Sequence, residues 1–120
     1  MFGLMACRGD GGEETVGPDG PGVVRVTLTA SRRFSPAEVT VDPGMSVRWV
    51  NDAEIFHTVT PDDPAQPGAW PATSTSRRGT VLTHIFTQPG RTYAYHCEPH
   101  RAQGMTGVIR VRLNPQSVRR

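Results

Sequence analysis

Tyr93-Ala94-Tyr95-His96-Cys97-Glu98-Pro99-His100-Arg101-Ala102-Gln103-Gly104-Met105 reads as a strand that runs into a short, tight loop. Alternation puts Tyr93, Tyr95 and Cys97 on one face, where the tyrosines fill a core, and turns His96 to the other side, away from any group Cys97 binds. Beyond the strand the spacing is Cys97-x2-His100-x4-Met105, so one loop can bring three donors to a point. Pro99 stiffens that loop and Gly104 lets the backbone turn tightly. Forty residues before Cys97 stands His57, in Ile55-Phe56-His57-Thr58-Val59, sharing inward parity with Ile55 and Val59. Two imidazoles, a thiolate and a thioether form a soft, mixed donor set that suits copper cycling between two oxidation states. A trigonal His2Cys plane with a long axial Met is the type 1 copper geometry.

Working outward, the chain is a series of short strands. Val24, Val26 and Leu28 alternate with Arg25, Thr27 and Thr29, as a half-buried strand does. Phe34-Ser35-Pro36-Ala37 breaks the pattern and Glu38 to Val41 resumes it. Asp42-Pro43-Gly44 is a turn, and Met45 to Asn51 follows as a strand with Val47 and Trp49 on one side. Ile55 to Thr60, Val81 to Thr87, Arg91 to Cys97 and Met105 to Leu113 complete the set. Pro61 to Thr80 has four prolines and no periodicity; its length predicts a short helix or an edge strand within it. The pattern gives about seven strands, no convincing helix and no internal repeat, and points to a β-sandwich.

Composition agrees. The 120 residues suit one domain, and Gly and Pro together make up 24 of them, too many breakers for a helical bundle. No run approaches the roughly 18 apolar residues of a membrane span. The 13 basic residues, all Arg, nearly balance 11 acidic ones. They are scattered, and the doublets Arg32-Arg33, Arg77-Arg78 and Arg119-Arg120 read as solvated surface, so no nucleic-acid partner is expected.

Leu4-Met5-Ala6-Cys7 resembles a bacterial lipobox, in which the Cys is acylated after cleavage. The stretch from Arg8 to Gly22 is rich in Gly, Asp and Glu and fits a tether. A full signal peptide has a basic start and 7–15 apolar residues, whereas six residues precede Cys7 and none is basic. Two readings stand: a truncated signal with lipid attachment at Cys7, or a plain disordered leader. A Cys7–Cys97 disulfide is arithmetically open, but each cysteine has a better explanation in its own neighbourhood. The expected organisation is a signal and acidic Gly-rich linker over 1–22, a domain over 23–113 and a tail over 114–120.

The sequence resembles a cupredoxin of the plastocyanin, pseudoazurin and amicyanin group. The resemblance is carried by Phe34-Ser35-Pro36, the Asp42-Pro43-Gly44 turn before Val47-Arg48-Trp49-Val50-Asn51, and His57-Thr58-Val59. It continues through Phe86-Thr87-Gln88-Pro89-Gly90, Tyr93-Ala94-Tyr95-His96-Cys97 and Gly104-Met105-Thr106-Gly107. It implies an all-β, cupredoxin-like Greek-key β-sandwich of about seven to eight strands over Val23 to Leu113. It implies one copper per chain, with His57 and His100 as imidazole ligands, Cys97 as thiolate and Met105 as axial ligand. Asn51 and the Thr58 backbone would be hydrogen-bond partners that orient the ligands. Electrons would enter at the edge of His100, with Pro36, Pro99 and Ala102 as candidates for an apolar floor. The chain departs from plastocyanins at His96, where they carry an exposed tyrosine, and no acidic patch is evident.

The expectation is therefore a monomeric, exported, periplasmic or otherwise extracytoplasmic one-electron carrier. Its partners would be other redox proteins, met weakly and transiently, and its only membrane contact would be an N-terminal lipid. The alternative is a copper module for metal delivery or storage, which the lack of Met-rich or His-rich tracts disfavours. An enzyme is not expected: there is no Ser-His-Asp set or phosphate loop, and His84 and His96 do not make a second copper site. Both read as surface histidines, Glu98 as loop surface, and Trp70 as packed over the core.

Overall fold

The computed structural model describes residues 16–17 and 20–113, with side chains from Gly22 onward. Cys7 and the expected tail over 114–120 lie outside the described residues. The strands are β1 (Val16–Gly17), β2 (Gly20–Pro21), β3 (Val23–Leu28), β4 (Phe34–Ser35), β5 (Glu38–Val41), β6 (Ser46–Asn51), β7 (His57–Pro61), β8 (Thr73–Thr75), β9 (Gly79–Ile85), β10 (Thr92–His96) and β11 (Thr106–Val111). One sheet has the order β5-β11-β10-β7-β8 and the other β4-β3-β6-β9, while β1 and β2 pair separately. Both larger sheets are mixed, with β3–β6 and β5–β11 parallel. The chain changes sheet between β4 and β5, β5 and β6, β6 and β7, β8 and β9, and β9 and β10, which makes the β-sandwich. Among the described residues no helix is long and apolar enough to cross a membrane.

Alternation explains which faces meet. Val26 and Leu28 of β3, Val39 and Val41 of β5, Val47 and Trp49 of β6, and Ile109 and Val111 of β11 are buried, while Arg25, Glu38, Thr40 and Arg110 are exposed. The centre is aromatic. Trp49 lies 5.0 Å from Trp70 and 5.5 Å from Tyr95, and Phe34 stands edge-on to Tyr95 at 4.6 Å, separations at which rings attract beyond simple burial. Trp70 packs in this core as expected, with its Nε1 donating to the Val59 carbonyl at 3.3 Å.

Several expectations shift in detail. Phe34–Ser35 does not merely break a strand; it pairs with β3 as a two-residue strand. The proline-rich stretch holds an edge strand, β8, paired to β7. The strand expected from Ile55 begins at His57 instead, because Ala53 N–H donates to Asn51 Oδ1 and the chain bends away before the ladder starts. Parity therefore holds for His57 and Val59 but does not extend to Ile55, and within β7 Thr58 is buried as well. Leu113 lies beyond β11 and is exposed.

Candidate metal centre

Cys97 follows directly on β10, which lies between β11 and β7. Its N–H donates to the Met105 carbonyl at 3.0 Å, so the two ends of the ligand loop are clamped by the last rung of the β10–β11 ladder. Between them the expected loop is a 3-10 helix, Glu98–Gln103, with Pro99 in its first turn, where a missing N–H costs nothing. Within it His100 N–H donates to the Cys97 carbonyl at 3.2 Å, and Met105 N–H returns to the His100 carbonyl at 3.2 Å. Gly104 ends the helix at φ 92°, the left-handed region open to glycine. His57 comes from the first position of β7, which pairs with β10.

These elements bring His57, Cys97 and His100 together. Cys97 Sγ is 3.7 Å from His57 Nδ1 and 3.3 Å from His100 Nδ1, and the three donors lie within 4.8 Å of one another. A trigonal ion with bonds of about 2.0–2.3 Å, as zinc makes to nitrogen and sulfur, requires donors about 3.5–4 Å apart, so this triangle accepts a metal with little movement. Met105 is fully buried at the foot of β11. His57, Cys97 and Met105 are 0% exposed, and His100 alone of the four retains an edge, at 9%. Pro36, Pro99 and Ala102 are exposed.

Electrostatics favour neutral imidazoles. Burial pushes the His57 pKa down, His100 and Arg32 push it further, and the Thr29 backbone opposes them. Burial and Arg32 likewise lower His100. Neutral imidazole is the ligating form. Thr58 N–H donates to Cys97 Sγ at 3.4 Å. Asn51 makes no contact of this kind: its Nδ2 donates to the Arg77 carbonyl at 2.9 Å and its Oδ1 accepts from Ala53, tying together the loops on either side of β6's end.

Two histidines depart from expectation. His96 points away from the metal cluster but is not a surface residue. It is buried, with Nδ1 2.5 Å from Asp62 Oδ1 and Nε2 2.9 Å from Glu98 Oε2. Asp62 reaches it by continuing β7 alongside β10, its N–H donating to the Ala94 carbonyl at 2.9 Å, and Glu98, exposed as expected of loop surface, is its second hydrogen-bond partner. His84 is half-buried, its Nε2 2.7 Å from the Gly68 carbonyl and its ring 4.9 Å from Phe86. Arg32, in the turn after β3, is exposed as expected of solvated surface, and its guanidinium helps hold both ligand imidazoles below their ordinary value.

A buried cysteine set between two imidazoles, with a methionine closing the same loop, is the donor arrangement of a type 1 copper site. The family model described as copper binding proteins, plastocyanin/azurin family, matches residues 23–112, and this chain belongs to that family. It is 36% identical over 84 residues to plastocyanin from Scenedesmus fuscus, covering 65% of this chain and 85% of that one. It is 37% identical over 82 residues to chloroplastic plastocyanin from Tetradesmus obliquus, covering 63% of this chain and 56% of the relative. A structure of a mutant amicyanin in its Cu(I) form superposes with a TM-score of 0.60 at 26% identity, over 75% of this chain and 82% of that one. Copper is thus the metal that both the family and the donor set indicate.

Proposed function

We propose that this chain is a one-electron carrier in which His57, Cys97, His100 and Met105 would hold a single copper. The observation that supports it is the buried triangle of Cys97 Sγ with His57 Nδ1 and His100 Nδ1 at 3.7 and 3.3 Å. The bound metal supplies one-electron chemistry between Cu(I) and Cu(II). The chain's own residues do the rest. Full burial of His57, Cys97 and Met105 excludes water. The Thr58 N–H partly offsets charge on the sulfur, and Asn51 fixes the bend that delivers His57. Clamping of the donors by the β10–β11 ladder limits rearrangement when the charge changes. His100 gives an incoming protein its approach.

The carrier acts as a monomer on other redox proteins, in weak, short-lived encounters, and has no enzymatic activity of its own. The unit is the domain over 23–113, with 1–22 as leader and linker and 114–120 as tail. The Leu4-Met5-Ala6-Cys7 motif supports export with lipid attachment at Cys7.

The test is to add Cu(II) to the purified copper-free protein and record visible and EPR spectra. An intense thiolate-to-copper band with narrow hyperfine splitting, absent in Cys97→Ala, is expected. A pale, broad-hyperfine spectrum would overturn the reading in favour of metal delivery or storage.

A further inference from the structure

Among the described residues Arg32 is the one non-glycine residue with positive φ, at 63°, a conformation that disfavours a large side chain and suits glycine or asparagine better. A tight turn holds it there. Thr29 N–H donates to the Arg33 carbonyl at 2.9 Å, Arg32 N–H to the Thr29 carbonyl at 3.1 Å, and Arg33 N–H to Thr29 Oγ1 at 3.1 Å. Arg33 Nη1 then donates to the Gln103 carbonyl at 3.0 Å, stitching the turn to the 3-10 helix that carries His100. Strained backbone positions of this kind cluster at functional sites.

The charges at this end of the sandwich are unequal in reach. Arg33 is tied to backbone carbonyls, Arg101 lies 3.9 Å from Asp62, and Glu98 is occupied by His96. Arg32 has no carboxylate partner among the described residues. It stands in the turn that Arg33 ties to the helix carrying His100, while Asp52 and Glu54 are exposed in the loop before His57; its charge helps hold both ligand imidazoles below their ordinary value. Phe56, 49% exposed and next to His57 in the chain, adds an apolar contact at the same end.

We infer that the His100 face docks a redox protein whose electron-exchanging surface carries carboxylates, with Arg32 as the cation that selects it. The inference rests on the electron-carrier reading. An exposed charge beside the ligand that reaches the surface raises the local concentration of an oppositely charged partner and orients it. One electron crosses between the reduced and oxidised members of the pair, and no bond forms or breaks.

The test uses the reduced full chain and 1H–15N NMR. It is titrated with hexacyanochromate(III), a redox-inert paramagnetic trianion, and in parallel with the cationic hexaamminechromium(III). The anion should broaden the signals of Ser31, Arg32, Arg33 and His100 selectively, and the cation should not. Broadening should fall in Arg32→Asn and return in Arg32→Lys. Asparagine suits the left-handed backbone; Arg32→Gly serves equally well if it does not fold. Equal broadening by the cation, or unchanged broadening in the charge-free variants, overturns the inference while leaving a blue protein a carrier. Absence of the blue band overturns the carrier reading whatever the anion does.

Discussion

Thr58 donates its backbone N–H to Cys97 Sγ at 3.4 Å while its Oγ1 accepts the N–H of Glu98 at 2.8 Å. The residue next to His57 thus grips Cys97 directly and through its chain neighbour. Thr58→Val keeps the backbone donor and the β-branched shape but removes the acceptor, leaving Glu98 N–H to turn to water. Denaturant unfolding should show a loss of about 1 kcal/mol, with the thiolate-to-copper band retained. Loss of that band would mean that Oγ1, not the backbone N–H, controls Cys97.

Gly107 faces Tyr95 across the β10–β11 ladder. A Cβ there would fall within 2.7 Å of the Tyr95 ring, and Tyr95 cannot retreat because Phe34, Trp49 and Trp70 surround it. Gly107→Ala should cost about 1–3 kcal/mol by overpacking, read as a lower midpoint in denaturant. A midpoint equal to that of the parent would show that the ring has room to move.

Trp70 lies between β7 and β8 in chain order, yet it is fully inserted among Trp49, Phe86 and Tyr95. Trp70→Ala should destabilise by about 3–5 kcal/mol. If it costs less than about 1 kcal/mol, the surrounding rings have collapsed into the space.

The copper-free protein should weaken on acidification. His57 and His100 are both held below the ordinary 6.5 in the folded state. The unfolded chain therefore takes up protons first as pH falls past about 6.5, and stability declines through that window until the folded-state values are reached. Above it the contribution is fully present. Thermal unfolding followed from about pH 7.5 down to about 5 should give a falling Tm; a Tm that rises over that range contradicts the buried neutral imidazoles.

Much of this was legible from the chain because a half-buried strand writes its faces into alternate residues. Val26 and Leu28, Val47 and Trp49, and Tyr93 and Tyr95 point where parity put them. The convergence of His57, Cys97 and His100 followed from the spacing of one loop and the matching parity of a second strand. What parity does not encode is what covers the opposite face. Parity turns His96 from the metal, but its burial depends on Asp62, which the β7–β10 pairing sets diagonally across from it. The start of β7 was missed for a similar reason: one side-chain hydrogen bond, from Ala53 N–H to Asn51, overrides the β-propensity of Ile55 and Phe56. The edge strand in the proline-rich stretch is three residues long, too short for any period to show.

β11 lies between β5 and β10, parallel to the first and antiparallel to the second. It is the last described strand, yet it sits inside its sheet rather than at the edge. A growing chain therefore has the residues of β3 to β10 in hand before the strand that joins them exists. Sheet closure waits for contacts between residues 38–41 and 108–111, a large sequence separation that slows folding. The same event seats Met105 and clamps the ligand loop, so copper capture follows synthesis and pairing of β11, and a fragment ending before it would offer the ion only loose thiol and imidazole groups.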